Sequence, residues 1–393
     1  MGKDIKNFLD YEKYTSKFFS NYKRIIIKVG SSLIINKKTR TIRNNWLSAF
    51  SEDIAYLQKI KKEIIIVSSG AIALGRNTLI SSDKTLNLEE NQAAASIGQI
   101  ELAYSWKAAL EHQNIKCAQI LLSPDDTETR RRHLNARATI ATLINSHVVP
   151  VINENDTVTT SEIKFGDNDR LAARVAQMSS SDLLILLSDI DGLYDQNPHY
   201  SKTAKHIPLV AEINEEIMNM AGSSHYEYAS GGMVTKLEAA KISSLSGCNL
   251  IICNGESEHP ILELSKGKKH TIFKANETPL TARKKWIAAG LNILGKLIVD
   301  NGASTALKNG SSLLPAGVIK VEGLFEKGDL VEILDQDRRN IGSGLSSYNS
   351  REIEIISGKK TRDIKSYLGY EGRDELIHRD DLVLKNNIYL GFF

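Results

Sequence analysis

Short apolar runs rich in Ile, Val and Leu alternate with longer helix-compatible stretches between residues 24 and 275. Helices are predicted at 89–113, 127–146 and 234–247 from their composition and end signals. Strands and helices in alternation predict an α/β fold, with a mostly parallel open sheet covered by helices on both faces. Six apolar runs have the length of buried strands, at residues 24–30, 63–70, 116–122, 147–154, 182–189 and 249–255.

The pattern changes after Cys253. Residues 266–285 contain seven Lys or Arg and one Glu, a composition typical of a solvated linker. Short strand-like runs with turn residues follow, which predicts a smaller β-rich domain. The predicted divisions are an N-terminal extension, an α/β domain, a basic linker and a β-rich domain, at 1–23, 24–275, 276–285 and 286–393.

Composition narrows the class of protein. With 41% hydrophobic and 25% charged residues, the 393-residue chain has the profile of a folded protein. No uninterrupted apolar stretch is long enough to cross a membrane, and acidic residues stand where a signal peptide needs apolar ones. Three cysteines without zinc-ligand spacing indicate a reducing, cytoplasmic compartment and no structural metal.

The charge balance bears on nucleic-acid binding. Residues 290–393 hold 14 Lys or Arg against 15 Asp or Glu, so the β-rich domain has no basic surplus to attract RNA. The basic stretch 266–285 keeps RNA binding open as an alternative function. A filter-binding assay over a salt series would separate it from an enzymatic function, because RNA capture weakens steeply with salt.

Polar and Gly-rich segments follow four of the predicted strands, where ligands of parallel sheets bind. Lys28 precedes a Gly-Ser-Ser turn, and Ser68-Ser69-Gly70 forms a second small-residue turn. Either turn alone is also an ordinary strand-to-helix connection. Their backbone N–H groups could equally face an anion.

The fourth strand ends in a dense polar segment. Asn153 to Asp156 follow directly, and Asn168-Asp169 come soon afterwards. A hairpin would account for the turn residues, but not for so many carboxylates and amides at one strand end. We therefore favour an amino-acid site, in which an Asp pairs with an α-ammonium and side-chain amides bind the α-carboxylate.

The fifth strand ends in Ser188-Asp189, and a Gly-Gly turn at 231–232 precedes Lys236 near the start of a helix. A helix N-terminus with a nearby lysine can hold phosphate oxygens. The segment 290–296 has P-loop spacing but continues with Leu297 in place of the Ser or Thr that binds magnesium, so we reject it as a nucleotide site.

Together these segments resemble the amino acid kinase family and, within it, the enzymes that act on the γ-carboxylate of glutamate. Four segments after residue 285, namely WIAAG, GSSLLPAG, SGLSSYNS and LGYEGRDELIHRDD, resemble a PUA domain. The motifs that carry the kinase resemblance are KVGSS at 28–32, SSGAIALG at 68–75, HLNAR at 133–137, VVPVINENDTV at 148–158, FGDNDRLAARVA at 165–176, SDIDGLY at 188–194 and SGGMVTK at 230–236.

The resemblance implies transfer of a phosphoryl group from ATP, with Mg²⁺ held mainly by the nucleotide phosphates, to L-glutamate. It implies that Lys28 and Lys236 contact the phosphates and that Asp169 orients both lysines. It implies that glutamate is bound by Ser69, Asp156 and Asn168. The implied ATP-binding residues are Lys28, Ser188, Asp189, Ser230, Gly231, Gly232, Met233, Val234, Thr235 and Lys236.

This sequence departs from the family pattern in few places. Ser188 and Ser230 stand where Thr is common, Arg170 occupies a variable position, and the first 23 residues have no counterpart in the compact bacterial enzymes. Aspartate, N-acetylglutamate and UMP kinases are the alternatives within the fold. N-acetylglutamate has no α-ammonium to pair with Asp156, and no residues suited to reading a uracil base were found. The resemblance further implies a homo-oligomer and feedback inhibition by proline.

Overall fold

A computed structural model describes residues 10–79, 86–158, 168–198, 200–221, 232–289 and 292–385. Contacts divide the chain into two compact units, Met1–Pro279 and Leu280–Phe393. The division falls inside the stretch predicted as a linker.

The first unit is built on one eight-stranded sheet with strand order β3-β4-β2-β1-β5-β9-β10-β8, and β6 and β7 form a separate hairpin. β1 to β5 and β9 run parallel, whereas β10 is antiparallel to β9. All six predicted strands are present, so the α/β prediction is confirmed. The strands are β1 Arg24–Val29, β2 Glu63–Ser68, β3 Cys117–Leu122, β4 Val149–Glu154, β5 Leu183–Ser188, β6 Leu193–Tyr194, β7 His206–Ile207, β8 Leu209–Val210, β9 Asn249–Asn254 and β10 His270–Phe273.

Helices cover both faces of this sheet. The predicted helix 127–146 is divided in two at Thr129, whose backbone is extended. None of the described helices has the length and apolar character needed to cross a membrane. The helices are α1 Ser31–Ile34, α2 Asn44–Lys59, α3 Ala71–Leu79, α4 Leu88–Glu111, α5 Pro124–Glu128, α6 Arg130–Asn145, α7 Asn168–Ser179, α8 Glu215–Asn219, α9 Met233–Leu245 and α10 Pro260–Ser265.

The central strands are apolar throughout because both of their faces are buried. In β1, Ile25 and Ile27 belong to the hydrophobic cluster on one face, which includes residues of α2 and α4. Ile26 belongs to the cluster on the other face, which includes residues of α6, α7 and α9. Lys28 has the same parity as Ile26, so its side chain lies on the face that α7 and α9 cover.

The stretch 266–285 is not the solvated linker that its charge suggested. Thr271 and Phe273 are buried within β10, which extends the main sheet. Pro279–Ala289 then forms a helix, α11, in which Arg283 is buried against Asp381 with an Nε–Oδ1 distance of 2.8 Å. The count of charges could not reveal this, because it takes no account of which side chains face a neighbour.

The second unit carries a five-stranded sheet with strand order β12-β11-β13-β14-β15, as expected for a β-rich domain. Gly295 and Lys296 of the rejected P-loop segment lie inside its β11 strand. The elements are α11, β11 Ile293–Val299, α12 Asn301–Lys308, β12 Val318–Glu322, β13 Leu330–Leu334, β14 Asn340–Leu345, α13 Ser350–Ile356, α14 Ile364–Leu368 and β15 Leu382–Leu384, with 3₁₀ turns at Pro315–Gly317, Thr361–Asp363 and Arg379–Asp381.

Residues 10–19 of the N-terminal extension pack on the α/β part of the first unit. A π-helical turn, Tyr11–Thr15, places the Tyr11 hydroxyl where it donates to Oδ1 of Asp53, a fully buried residue of α2. Oδ2 of Asp53 accepts from the backbone N–H of Ile261 in α10 at 2.8 Å, and His259 Nδ1 lies 3.3 Å from Oδ1. One buried carboxyl therefore joins the extension, α2 and α10.

We expect Tyr11→Phe to lower the free energy of unfolding by roughly 1–3 kcal/mol, because it removes a hydrogen bond to a buried carboxyl group. Equilibrium urea unfolding measures the change. Tyr14→Phe is the matched control: Tyr14 lies in the same turn, and its hydroxyl has no hydrogen bond within the described part of the chain. Equal free energies of unfolding for the two variants would show that the hydrogen bond from Tyr11 to Asp53 does not stabilise the fold.

Candidate functional site

A cavity of about 610 Å³ opens at the carboxyl ends of β1, β2, β4 and β5. Binding at this edge is expected for a parallel sheet. The structure brings together seven of the predicted site residues in its lining: Lys28, Ser69, Asp156, Asn168, Ser188, Asp189 and Lys236.

Asp169 holds the two predicted lysines from behind the cavity. Its Oδ1 lies 2.7 Å from Nζ of Lys28, and its Oδ2 lies 2.9 Å from Nζ of Lys236. All three side chains are buried, and they come from β1, α7 and α9. Two cations share one anion, so the group carries a net positive charge at the cavity wall.

The ionised form of Asp169 is favoured by this arrangement. Burial alone would raise the pKa of the carboxyl group, but the attraction of Lys28 and Lys236 outweighs burial and lowers the pKa. Asp169 also lies in the first turn of α7, where the helix dipole favours a negative charge. The carboxylate therefore stays charged and keeps both ammonium groups in place.

Asn168, the first residue of α7, joins two strand ends. Its Nδ2 lies within 2.8 Å of the Ser68 carbonyl oxygen, Ser69 Oγ and Asn153 Oδ1. Its Oδ1 is buried and has no hydrogen-bond partner among the residues that the structure describes. This oxygen is available to accept from a ligand, because a buried acceptor without a partner is unfavourable.

The Ser69 turn is held by close contact between two helices. A Cβ on Gly75 of α3 would lie 1.9 Å from the Ala94 carbonyl oxygen, and one on Gly98 of α4 would lie 1.9 Å from that of Ala71. Only glycine permits this approach. Since Ala71 begins α3 directly after the turn, the contact fixes Ser69 at the cavity.

Asp156 is a buried acidic residue of the cavity that no basic residue neutralises in the described part of the chain. It is 7% exposed, and no described residue forms a hydrogen bond or ion pair with its carboxylate. Burial raises the pKa of Asp156 to about 6. A ligand that brings a positive charge would stabilise the ionised form.

The end of β5 forms another part of the wall. Ser188 Oγ donates to Asp189 Oδ1 at 3.0 Å, and the backbone N–H of Gly255 donates to the Ser188 carbonyl at 2.8 Å. Gly232 is the N-cap of α9, and Thr235 Oγ1 donates to its carbonyl oxygen at 2.9 Å. Ser230 and Gly231 lie outside the described residues. Of the predicted segment from Gly232 to Lys236, Lys236 alone is found in the described cavity lining.

The cavity lining also includes residues that the sequence did not identify as site residues. Asn153 donates from Nδ2 to Gln99 Oε1 at 2.8 Å, and its position at the strand end was a signal for a site role. Arg76 lies on the same α3 face as Ile72 and Ala73, one helical turn further along. Helical spacing from the Ser69 turn could have identified it. Lys37, Arg40 and Asn91 are further polar residues of the lining.

The charged groups of the cavity suit a polyphosphate better than a directly bound metal ion. Within the described ranges, no three His, Cys, Asp or Glu side chains converge to hold a metal. Lys28 and Lys236 instead offer ammonium groups, which bind phosphate oxygens as point charges.

Both parts of this chain are similar to known protein families. The family model described as "Amino acid kinase family" matches residues 23–254, and the PUA domain model matches residues 295–368. A glutamate 5-kinase of Bradyrhizobium diazoefficiens is 50% identical over 365 residues, covering 93% of this chain and 98% of that protein. One of Nitrobacter hamburgensis is 51% identical over 370 residues, covering 94% and 98%. The carbamate kinase structure from Giardia lamblia overlaps 65% of this chain and all of that chain, with a TM-score of 0.47 and 18% identity. The family model and the two relatives at about 50% identity show that the chain belongs to the amino acid kinase family and, within it, to the glutamate 5-kinases.

Proposed function

We propose that the protein transfers the γ-phosphoryl group of ATP to the γ-carboxylate of L-glutamate, giving L-glutamyl 5-phosphate in the first step of proline biosynthesis. The observation that carries the proposal is the pair of buried lysines on Asp169, at a cavity that also contains an unneutralised carboxylate. The named relatives support the choice of glutamate.

Phosphoryl transfer depends on alignment and charge stabilisation more than on covalent chemistry by the protein. Lys28 and Lys236 would contact the phosphates and stabilise the charge on the transferring group. Asp169 would fix both ammonium groups, so that little reorganisation is needed during the reaction. Mg²⁺ would enter with ATP, held mainly by its phosphates, and would neutralise part of their charge.

The acceptor needs no catalytic base. A γ-carboxylate with a pKa of about 4.3 is already ionised at neutral pH. Asp156 would pair with the α-ammonium group of glutamate, and the buried Oδ1 of Asn168 would accept a further hydrogen bond from it. Ser69 would complete the substrate site, while Ser188 and Asp189 would lie against the nucleotide.

Four expectations remain predictions: a cytoplasmic location and no RNA binding by the second unit, from the cysteines and the charge balance, and a homo-oligomer and inhibition by proline, from the family resemblance. Proline has the amine and carboxylate of an amino acid, so it would compete for Asp156. Inhibition by proline that is competitive with glutamate would support this assignment.

The deciding experiment is ATP-dependent hydroxamate formation with glutamate, aspartate and N-acetylglutamate compared side by side. Hydroxylamine traps an acyl phosphate, so the assay reports phosphorylation of a carboxylate. We expect a clear preference for glutamate. A preference for either of the other acceptors would overturn the proposal.

We expect Lys236→Ala to lower kcat about 10²-fold or more with little change in the KM for glutamate. Its ammonium group would act on the transferring phosphoryl group, where a preorganised charge has its largest effect. Lys241→Ala is the matched control, because Lys241 is exposed on the same helix. Lys241→Ala should leave thermal unfolding unchanged, whereas Lys236→Ala should stay folded with a lower unfolding temperature, because Asp169 loses one of its two buried partners. A near-normal kcat of Lys236→Ala would show that Lys236 does not take part in phosphoryl transfer.

We expect Asp156→Asn to raise the KM for glutamate by about 30-fold or more, on the order of 2–3 kcal/mol, because the amide cannot balance the α-ammonium charge. The KM for ATP should stay nearly unchanged. Asp337→Asn, at an exposed site in the second unit, controls for the chemical change. Equal effects on both substrates would mean that Asp156 maintains the fold.

The same carboxyl group predicts a pH dependence. With a pKa of about 6 in the free enzyme, Asp156 gains a proton as the pH falls through that value and loses its attraction for ammonium. The KM for glutamate should therefore rise between about pH 7 and pH 5.5, where glutamate itself stays ionised at its γ-carboxylate. In Asp156→Asn this rise should be absent; its persistence would assign it to another group.

A further inference from the structure

The loop between Ser188 and Leu193 leaves β5 at the cavity, and hydrogen bonds hold both of its ends. At the first end, Gly255 N–H donates to the Ser188 carbonyl at 2.8 Å, and Asn254 Nδ2 donates to the Asp189 carbonyl at 3.2 Å. Asn254 is the last residue of β9, the neighbouring strand, and Gly255 follows it. The beginning of the loop is therefore fixed to the sheet.

The far end of the loop is fixed by one hydroxyl group. Thr271 is fully buried in β10. Its Oγ1 accepts from Leu193 N–H at 2.7 Å and donates to the Ile207 carbonyl at 2.6 Å. The side chain thus joins the loop, the β6–β7 hairpin and the edge of the main sheet.

Gly192 shows how closely the loop passes this hydroxyl. A Cβ on Gly192 would lie 2.5 Å from Thr271 Oγ1 and 2.5 Å from His206 Nε2. Its φ of +148° also lies in a region that other residues rarely adopt. The loop can therefore follow this path only with glycine at the point of contact.

Between its ends, the loop is held by Ile190, which packs against the hydrophobic cluster that contains Ile26, and by Asp191, which accepts from the Tyr194 hydroxyl at 2.9 Å. Asp189 is exposed and lines the cavity together with Ser188. The Asp189 carbonyl is fixed by Asn254, but among the described residues its carboxylate bonds only the Ser188 hydroxyl. Movement at Leu193 would change the backbone path that leads away from Asp189, and with it the direction of the Asp189 side chain at the cavity.

We propose that Thr271 is a positioning residue for the nucleotide: through Leu193 it sets the path of the Ser188–Leu193 loop. The inference rests on the proposed function, because it takes Ser188 and Asp189 as nucleotide contacts. A threonine hydroxyl can donate once and accept at the same time, which valine of the same shape cannot do. Among the described residues, Thr271 has no hydrogen bond to Ser69, Asp156 or Asn168. Substitution of Thr271 should therefore leave glutamate binding unchanged.

The test compares Thr271→Val with Thr271→Ser in the full chain. Calorimetry with a non-hydrolysable ATP analogue and Mg²⁺ gives the nucleotide Kd, and steady-state kinetics give the KM for ATP and for glutamate. We expect valine, which lacks both hydrogen bonds of the hydroxyl, to raise the Kd and the KM for ATP about tenfold, with the KM for glutamate changed less than about twofold. Serine should restore both nucleotide values to within about twofold of the wild type.

Thr15→Val is the matched control, because Thr15 is also fully buried and its hydroxyl bonds Ser265 at 3.0 Å, outside the cavity. It should lower the thermal unfolding temperature without changing either KM. If Thr271→Val does not fold, Gly192→Ala displaces the same loop and should give the same selective rise in the KM for ATP. Unchanged nucleotide binding, equal changes for both substrates, or failure of serine to rescue would overturn the inference.

The nucleotide measurement needs no acceptor, so the two proposals can fail separately. A wild-type protein that binds the ATP analogue but does not phosphorylate glutamate contradicts the proposed function alone. In that case the Kd of the Thr271 variants still decides the role of Thr271. A wild-type protein that binds no nucleotide contradicts both.

Discussion

The buried contact of Lys28 and Lys236 with Asp169 is the constraint on which the rest of the site depends. Moving a charge out of water costs several kcal/mol unless a partner compensates it, and here one carboxylate serves two ammonium groups. The excess positive charge makes the cavity a place for anions. Each member comes from a different element, so β1, α7 and α9 must keep their mutual positions for the group to exist. α7 contacts both β1 and α9, which is why it carries Asp169 in its first turn and small buried residues such as Ala172 and Ala176 further along.

The sequence was sufficient to predict the strands that are buried on both faces. Strands such as Ile25–Ile27 are apolar without interruption, and in an α/β chain a short run of this kind is typical of a central parallel strand. The strand ends then placed Lys28, Ser69 and Asp156 at one edge by topology alone. The role of Asp169 came from family resemblance, because no periodicity shows that a carboxylate at a helix start will meet two lysines from distant segments.

The errors and omissions have physical causes. β10 has four residues and lies between Lys269 and Lys274, so the surrounding charge concealed a strand of the main sheet. Arg283 was counted as a solvated charge, although helical spacing places it with Ile287, four residues later, on one buried face. Arg76 lines the cavity from the middle of a helix, away from any strand end. In each case the missing information was which neighbour the side chain meets, and a linear pattern does not contain it.

The order of the strands also bears on the choice of acceptor. β2 lies between β4, which Asp156 follows, and β1, which carries Lys28. With about 4.8 Å between neighbouring strands, their backbones are roughly 10 Å apart. The Asp156 and Lys28 side chains both line the cavity, and glutamate spans roughly 5 Å from its nitrogen to its γ-carboxyl carbon, so its two charged ends can lie on different sides of the cavity. Aspartate is one methylene shorter, so it would weaken the contact at one end or the other. An extended amino-acid dicarboxylate would therefore lie with its ammonium at Asp156 and its distal carboxylate at the lysines, which is the orientation that the proposed transfer requires.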